Sequence, residues 1–435
     1  MRVFGETVKS HFKLLKYVIR LARNLMQWVK SDGFVREICS FMQSDLPGEM
    51  RLLLACLRVN PQAQEAQQIE SLSQSNIAWP EFLRRVDRHR VAPLVYTNLS
   101  RYAGKTLPSA IMSALRSRFE NNALRGLANA AESVRLCRLF QENAIPVLLL
   151  KGSGLALQVY GNLALRHAGD IDLLVAPHHL DLADLLLQRN YRPTPPVFPL
   201  GSYQRRRLLR HLHHFEYRHT QSRVLVELHW RPGDNWFSPV MEATRLQSRT
   251  FSLAAAGWRL PVMSFSDNLL YLCAHGAVHF WYRLFWLVDL AEMLKGNPQI
   301  DWPFLMALAR EAGLLRPLAQ GIILAHELLE APLPEAICTY ALQDPLVSYL
   351  AKVAYRFILC PQPEKLPLSL ILGRFICKLR DGNSLKDKMR SFHEACLGRD
   401  WLTLRLPDSL FFLYFLLRLP LWFQRRLRSR EKQTV

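Results

Sequence analysis

Between about Leu46 and Phe140 apolar positions recur at helical spacing: Leu52, Leu53, Cys56 and Leu57 share one helix face, and Leu127, Ala131, Val134 and Cys137 share another. Pro80 suits the first turn of a helix. The stretch Arg88-His89-Arg90-Val91-Ala92-Pro93 reads as a junction, because the residue before a proline is pushed out of the helical region. After Phe140 the texture changes. Ile145 to Leu150 is a short apolar run that ends at Lys151-Gly152-Ser153-Gly154, the pattern of a buried strand entering a tight turn, with a helix expected from Leu155 to about Tyr160. Asp170 to Val175 predicts a second strand, His178 to Asn190 a helix, and Arg223 to Trp230 a third strand. From Asn268 to Leu294 and from Asp301 to Leu329 the helical period returns, interrupted at Gly296-Asn297-Pro298.

This layout predicts an α+β fold in which a small mixed sheet is flanked by helical regions. The expected units are a basic amphipathic segment over 1–44, a helical domain over 45–140, an α/β core over 141–262, and a helical domain with a basic tail over 263–435. A chain of 435 residues, half of them hydrophobic, can bury a large core and does not read as disordered. The formal charge of +20 attracts polyanions in general, including nucleic acid, anionic lipid and nucleotide phosphates, without choosing among them. Phe12, Leu15, Ile19 and Met26 are interleaved with Lys13, Lys16, Arg20, Arg23 and Lys30, a pattern that fits peripheral membrane contact or packing against the protein body. The apolar run Leu410 to Leu417 is too short for a bilayer, which takes roughly 20 residues. The eight cysteines are scattered without paired spacing and read as reduced core residues, in keeping with a cytoplasmic protein.

The central part carries the candidate chemistry. Asp170 and Asp172 are separated by one residue on a predicted strand, so both side chains leave the same face about 7 Å apart. Glu227 lies in Val224-Leu225-Val226-Glu227-Leu228-His229-Trp230, where it shares a face with His229 and must find a cation or a donor. If the two strands are neighbours, three carboxylates meet at one edge, a charge suited to two divalent ions. Gly152-Ser153 offers backbone N–H groups and a hydroxyl to phosphate at the start of a helix.

The run Leu148-Leu149-Leu150-Lys151-Gly152-Ser153, the segment Arg166-His167-Ala168-Gly169-Asp170-Ile171-Asp172, and the later Val226-Glu227-Leu228-His229-Trp230 together resemble the polymerase-beta-like nucleotidyltransferase superfamily. More narrowly, the stretch from roughly Leu52 to Leu294 is similar to a bacterial uncharacterised nucleotidyltransferase family often associated with polysaccharide-biosynthesis loci. The resemblance implies that Asp170 and Asp172 hold two Mg2+ ions, that Glu227 completes the catalytic site, and that Gly152 and Ser153 hold the triphosphate of an NTP. It further implies that a hydroxyl acceptor attacks the α-phosphate and expels pyrophosphate, with Lys151 and Arg166 neutralising phosphate charge.

A second group, His275, His279, Arg283 and Asp289, recurs at helical spacing and could line the cleft as nucleotide or acceptor contacts; the alternatives are satisfied core histidines and, less compatible with Gly276, a zinc site. His211, His213 and His214 with Arg205 to Arg207 and Arg210 read as a basic loop that contacts an acceptor or is simply solvated. Three functions are open on this reading: nucleotidyl transfer to a small or sugar hydroxyl, transfer to RNA or protein, and an inactive nucleotide sensor or scaffold.

Overall fold

The computed structural model describes residues 46–359 apart from 105, 195–204, 207–208, 210–211, 223, 234–238 and 256, together with positions 410, 413 and 417. The expected amphipathic segment over 1–44, the basic tail, most of the run at 410–417, and His211 with Arg207 and Arg210 lie outside these residues.

Among the described residues five helices precede the sheet: α1 (Gly48–Ala55), α2 (Ala63–Ser73), α3 (Trp79–His89), α4 (Ala92–Tyr102) and the long α5 (Ser109–Glu142). Pro80 sits in the first turn of α3 and Pro93 in that of α4, where a missing N–H costs nothing. In α5 the buried face differs from the expected one. Leu127 is 64% exposed, and the buried middle of the helix consists of Asn122, Gly126, Asn129 and Ser133. That face is polar because it bonds to a loop: the Asn122 amide donates to the carbonyls of Ala164 and Arg166 and accepts from the Ala168 N–H, while the Asn129 amide donates to the Gly169 carbonyl.

The sheet has seven strands: β1 (Val147–Leu149), β2 (Ile171–Val175), β3 (Tyr191–Pro193), β4 (His214–His219), β5 (Leu225–His229), β6 (Phe251–Ala255) and β7 (Trp258–Val262), in the order β3-β4-β5-β2-β1-β7-β6. The β5/β2 and β1/β7 pairs are parallel and the others antiparallel. Between β1 and β2 lie the short α6 (Ser153–Leu155) and a π-helical turn over Ala156–Tyr160; α7 (Leu180–Gln188) follows β2 after a 3-10 turn, and α8 (Ala243–Ser248) precedes the β6/β7 hairpin. The hairpin and β4 were not expected. In β4 apolar Phe215 and Tyr217 alternate with His214, Glu216 and Arg218, so the period of two hides among charged residues that look like a loop.

The remaining helices are α9 (Phe265–Val278), α10 (Leu284–Lys295), α11 (Trp302–Ala312), α12 (Leu315–Leu329), α13 (Glu335–Gln343) and α14 (Pro345–Leu359). The single helix expected over 268–294 is thus broken, and so is that over 301–329, at Gly313. The first break has a tertiary cause. Phe280 and Trp281 both adopt left-handed backbone (φ 52° and 51°), and the fully buried Trp281 ring fills the space above Gly276 and Gly321. One continuous apolar cluster joins α1, α3 and α4 with α9, α10, α12 and α14 and one sheet face, including Leu148 and Leu174; the opposite face, with Ile171, Leu173 and Val175, packs on α7 and the end of α5. The architecture is α+β with a mixed sheet at its centre.

Candidate active site

Strand periodicity decides which side chains meet. Because Ile171, Leu173 and Val175 take the face covered by α7, Asp172 is turned to the other side, where it is fully buried beneath the helical layer. In the parallel β2/β5 pair Asp172 stands directly opposite Glu227, and β4 adds Glu216 opposite Glu227 and His214 opposite His229. Asp170 precedes β2 by one residue and keeps 35% of its side chain exposed. Its approach loop is held by Asn122 and Asn129, as above. Of the three carboxylates expected to meet, Asp172 and Glu227 stand side by side on neighbouring strands, while Asp170 lies just ahead of β2 near Lys151.

The acids are laced together by cations from the same face. Lys151 Nζ lies 3.1 Å from Asp172 Oδ1 and 3.9 Å from Asp170 Oδ1. His229 Nε2 lies 3.3 Å from Asp172 Oδ1 and 3.2 Å from Glu227 Oε2. Burial opposes the charge on Lys151, yet Asp172 and Asp170 hold its pKa well above the ordinary lysine value. Burial likewise opposes protonation of His229, but its hydrogen bonds to Asp172 and Glu227 raise it to about 9. For Asp172, burial is overcome by Lys151 and His229, which keep the carboxylate well below its usual range. Glu227 goes the other way: burial, against the His229 bond and helped by Asp172, pushes it up to about 7.

Whether a divalent cation suits these residues can be tested on the side chains themselves. Asp172 Oδ2 is buried and has no hydrogen-bond partner, a lone pair left for a cation to satisfy. Ligand atoms of Asp172, Glu227 and His229 lie within 4.8 Å of one another, and so do those of His214, Glu216 and Glu227. The donor set is rich in carboxylate oxygen, the chemistry preferred by hard cations. The residues fit such an ion.

Gly152 opens the helix that follows β1 with φ 71° and ψ −130°, a conformation only glycine adopts without strain. This bend turns Lys151 toward the acids and sets Ser153, nearly buried, at the start of the helix. Arg166, expected to neutralise phosphate charge, has its guanidinium committed to a carboxylate of the fold, with Asp172 also acting on its charge. It is buried, with Nε and Nη2 bonded to Asp289 at 2.9 and 2.8 Å, and Tyr160 donates to the same carboxylate at 2.7 Å. The break in the helix over 279–283 also removes the continuous stripe, leaving His275 on α9, His279 at its C-terminal cap, Arg283 at the N-terminal cap of α10 and Asp289 inside α10. His275 and His279 still meet, with ring centroids 4.7 Å apart, and both rings contact Trp286. Burial and the nearby Lys151 charge hold His275 neutral, well below its ordinary pKa.

Residues 75–330, more than half of the chain, match a family described as an uncharacterised nucleotidyltransferase. The chain belongs to that family. No curated protein matches it. The match of this nucleotidyltransferase-family chain spans α3 through α12, and so includes the whole sheet, both aspartates, Glu227 and the helices over the site. Site residues that the sequence reading passed over are Glu216, Asn122 and Asn129. Glu216 was legible in principle from its alternation with Phe215 and Tyr217, whereas the two asparagines carry no local signal, since their partners are 40 to 46 positions away. Among the described residues no helix is long and apolar enough to cross a membrane, and the cysteines at 56, 137, 273 and 338 are free.

Proposed function

We propose that this chain is a Mg2+-dependent nucleotidyltransferase that moves a nucleoside monophosphate from an NTP to a hydroxyl acceptor and releases pyrophosphate. The observation that carries the reading is the pairing of Asp172 with Glu227 across neighbouring parallel strands, with Oδ2 of Asp172 buried and without a hydrogen-bond partner and the half-exposed Asp170 just ahead of β2. Asp170, Asp172 and Glu227 are the residues that would hold the metal, which when bound supplies charge neutralisation to the α-phosphate and to the acceptor oxygen. The backbone N–H groups after Gly152 and the Ser153 hydroxyl bind phosphate oxygens, as a strand-to-helix bend does when a glycine lets the chain turn without a side chain in the way. Lys151, held between Asp170 and Asp172, brings a positive charge to the same place, and His229 orients Asp172 and Glu227 toward one another. His275 and His279 with Trp286 form the helical wall above Lys151, a surface suited to a nucleotide base or an acceptor. On this reading the acceptor belongs to polysaccharide biosynthesis and the reaction is cytoplasmic, a role supported by the resemblance of the sequence to a family associated with such loci.

The test is pyrophosphate release from ATP, GTP, CTP and UTP with Mg2+, with cell extract as the source of acceptor. Asp170→Asn, which alters the most exposed of the three acids, is expected to reduce turnover on the order of 100-fold or more while melting stays at the wild-type temperature. Binding of nucleotide without turnover in the wild type would replace this reading with that of a nucleotide sensor.

A further inference from the structure

Two half-buried arginines stand beside the acids without an acid of their own. Arg90 follows the last residue of α3 and Arg283 precedes the first residue of α10, far apart in sequence. Their neighbours tie them together: the buried His89 Nδ1 accepts a hydrogen bond from the Leu284 N–H at 3.3 Å. Both positions are held by costly backbone. Arg90 itself is left-handed (φ 57°), and the turn before Arg283 contains the left-handed pair Phe280 and Trp281, the latter anchored in the core. Strain of this kind persists only where surrounding packing enforces it, so the two guanidinium groups are presented by a built framework and not by loose surface loops.

Arg283 lies over two aromatic faces, 4.9 Å from the Tyr282 ring centroid and 5.7 Å from that of Trp286. Stacking of this sort fixes the plane of a guanidinium and leaves its N–H edge free to donate. Among the described residues neither Arg90 nor Arg283 has a side-chain hydrogen bond or an ion pair. The loop that leads to Asp170 closes the other side: the His167 ring packs 5.5 Å from Phe285, two residues beyond Arg283. Arg125 is exposed on α5 between Asn122 and Asn129, the residues that bond this loop. Burial and the neighbouring arginine charge press the pKa of Arg90 down, and Asp170 is the acid that acts on both Arg90 and Arg283. Burial and these same arginines hold His167 neutral, down to about 3. Adjacent like charges with partly withdrawn solvent and no acid within ion-pair distance form a site that an oxyanion completes.

We propose that Arg90 and Arg283, with Arg125 at the rim, bind a phosphate group next to Asp170, in addition to the Gly152-Ser153 bend, a placement that rests on reading Asp170 as part of the reacting centre. The phosphate comes either from the terminal phosphates of the NTP donor or from a phosphorylated acceptor. Both present the same tetrahedral oxyanion to a pair of guanidinium forks.

Calorimetric titration of the full chain with inorganic tripolyphosphate, ATP and AMP in the absence of divalent ions tests the site. Arg90→Gln and Arg283→Gln are each expected to weaken tripolyphosphate binding on the order of tenfold, and the exposed Arg310→Gln, with the same loss of charge, to leave it unchanged. Arg283→Lys keeps the charge over the aromatic rings while removing the fork, and is expected to weaken binding without disturbing the melting temperature. A matching loss for ATP with AMP unaffected identifies the donor's phosphates as the ligand. A loss for tripolyphosphate alone identifies an acceptor phosphate. Absence of tripolyphosphate binding in the wild type, or binding by folded Arg90 and Arg283 variants equal to that of wild type, overturns the proposal. The transferase reading fails separately: a wild type that binds tripolyphosphate through these arginines but releases no pyrophosphate from any NTP keeps the phosphate site and loses the reaction.

Discussion

Removing the carboxylate of Asp289 should damage the fold more than removing any of the exposed acids, and the size of the effect follows from its surroundings. Asp289 is fully buried, accepts two hydrogen bonds from Arg166 and one from Tyr160, and the Arg166 side chain is itself only 5% exposed. In Asp289→Ala the guanidinium stays in the interior with no counter-ion, a loss of about 3–5 kcal/mol. With unfolding entropy of about 2.1 cal/mol/K per residue, a chain of 435 residues shifts by roughly 1 °C per kcal/mol, so the melting temperature should fall by about 3–5 °C. Taking out both charges with Arg166→Met/Asp289→Leu should cost less than Asp289→Ala alone, because no charge is then left buried and the losses are the Tyr160 hydroxyl's partner and the long 3.4 Å bond from Arg166 to the His167 carbonyl, at about 1–3 kcal/mol. Thermal melting followed by circular dichroism, with the two single variants and the double, decides the point. An Asp289→Ala protein that melts within about 1 °C of wild type would refute the argument that Arg166 serves the fold. So would a double variant less stable than Asp289→Ala.

Other outcomes follow from single contacts. A methyl group at Gly276 would lie 2.5 Å from the buried Trp281 ring, so Gly276→Ala should destabilise by about 1–3 kcal/mol or more and displace the turn that carries Arg283, read as a lower melting temperature and weaker tripolyphosphate binding together. His89 is buried beside Arg88 and Arg85, and burial first, then those charges, lowers its pKa to about 3 in the native state. Because the unfolded chain takes up a proton near pH 6.5 that the native chain refuses, this contribution is full above pH 6.5 and is lost as pH falls toward 3, at up to about 1.4 kcal/mol per unit. His89→Asn should therefore lose about 2 kcal/mol less than wild type between pH 6.5 and 5, measured by denaturation at both pH values; parallel losses would show that the ring does not stay neutral.

The placement of Asp170, Asp172 and Glu227 was legible because it uses only the period of a strand. Apolar Ile171, Leu173 and Val175 commit one face of β2 to a core, and Val226 and Leu228 do the same for β5, so the acids between them are driven to the other side. Adjacency of the two strands stood only as a condition, since parallel neighbours need not be close in sequence. The helix over 268–294 misled for the opposite reason. Its apolar period continues through 279–283, and nothing local announces that Trp281 will leave the helix to fill the gap beside Gly276 and Gly321. Arg166 misled too, because a basic residue near an acidic pair looks the same whether its partner is a phosphate or a carboxylate 123 positions later.

What the amino-acid order determined alone is whatever depends on neighbours within a few residues: the strand alternation, the glycine bend at 152, the proline-opened helices at 80 and 93, and the α+β sequence of textures. Tertiary structure decided which polar groups satisfy one another. Asn122 and Asn129 hold the approach to Asp170, Asp289 claims Arg166, His229 bridges Asp172 and Glu227, and His89 brings Arg90 beside Arg283. Local periodicity reports only which face of an element is buried; the partner of a buried charge is chosen by how distant elements pack, because desolvation makes its absence costly.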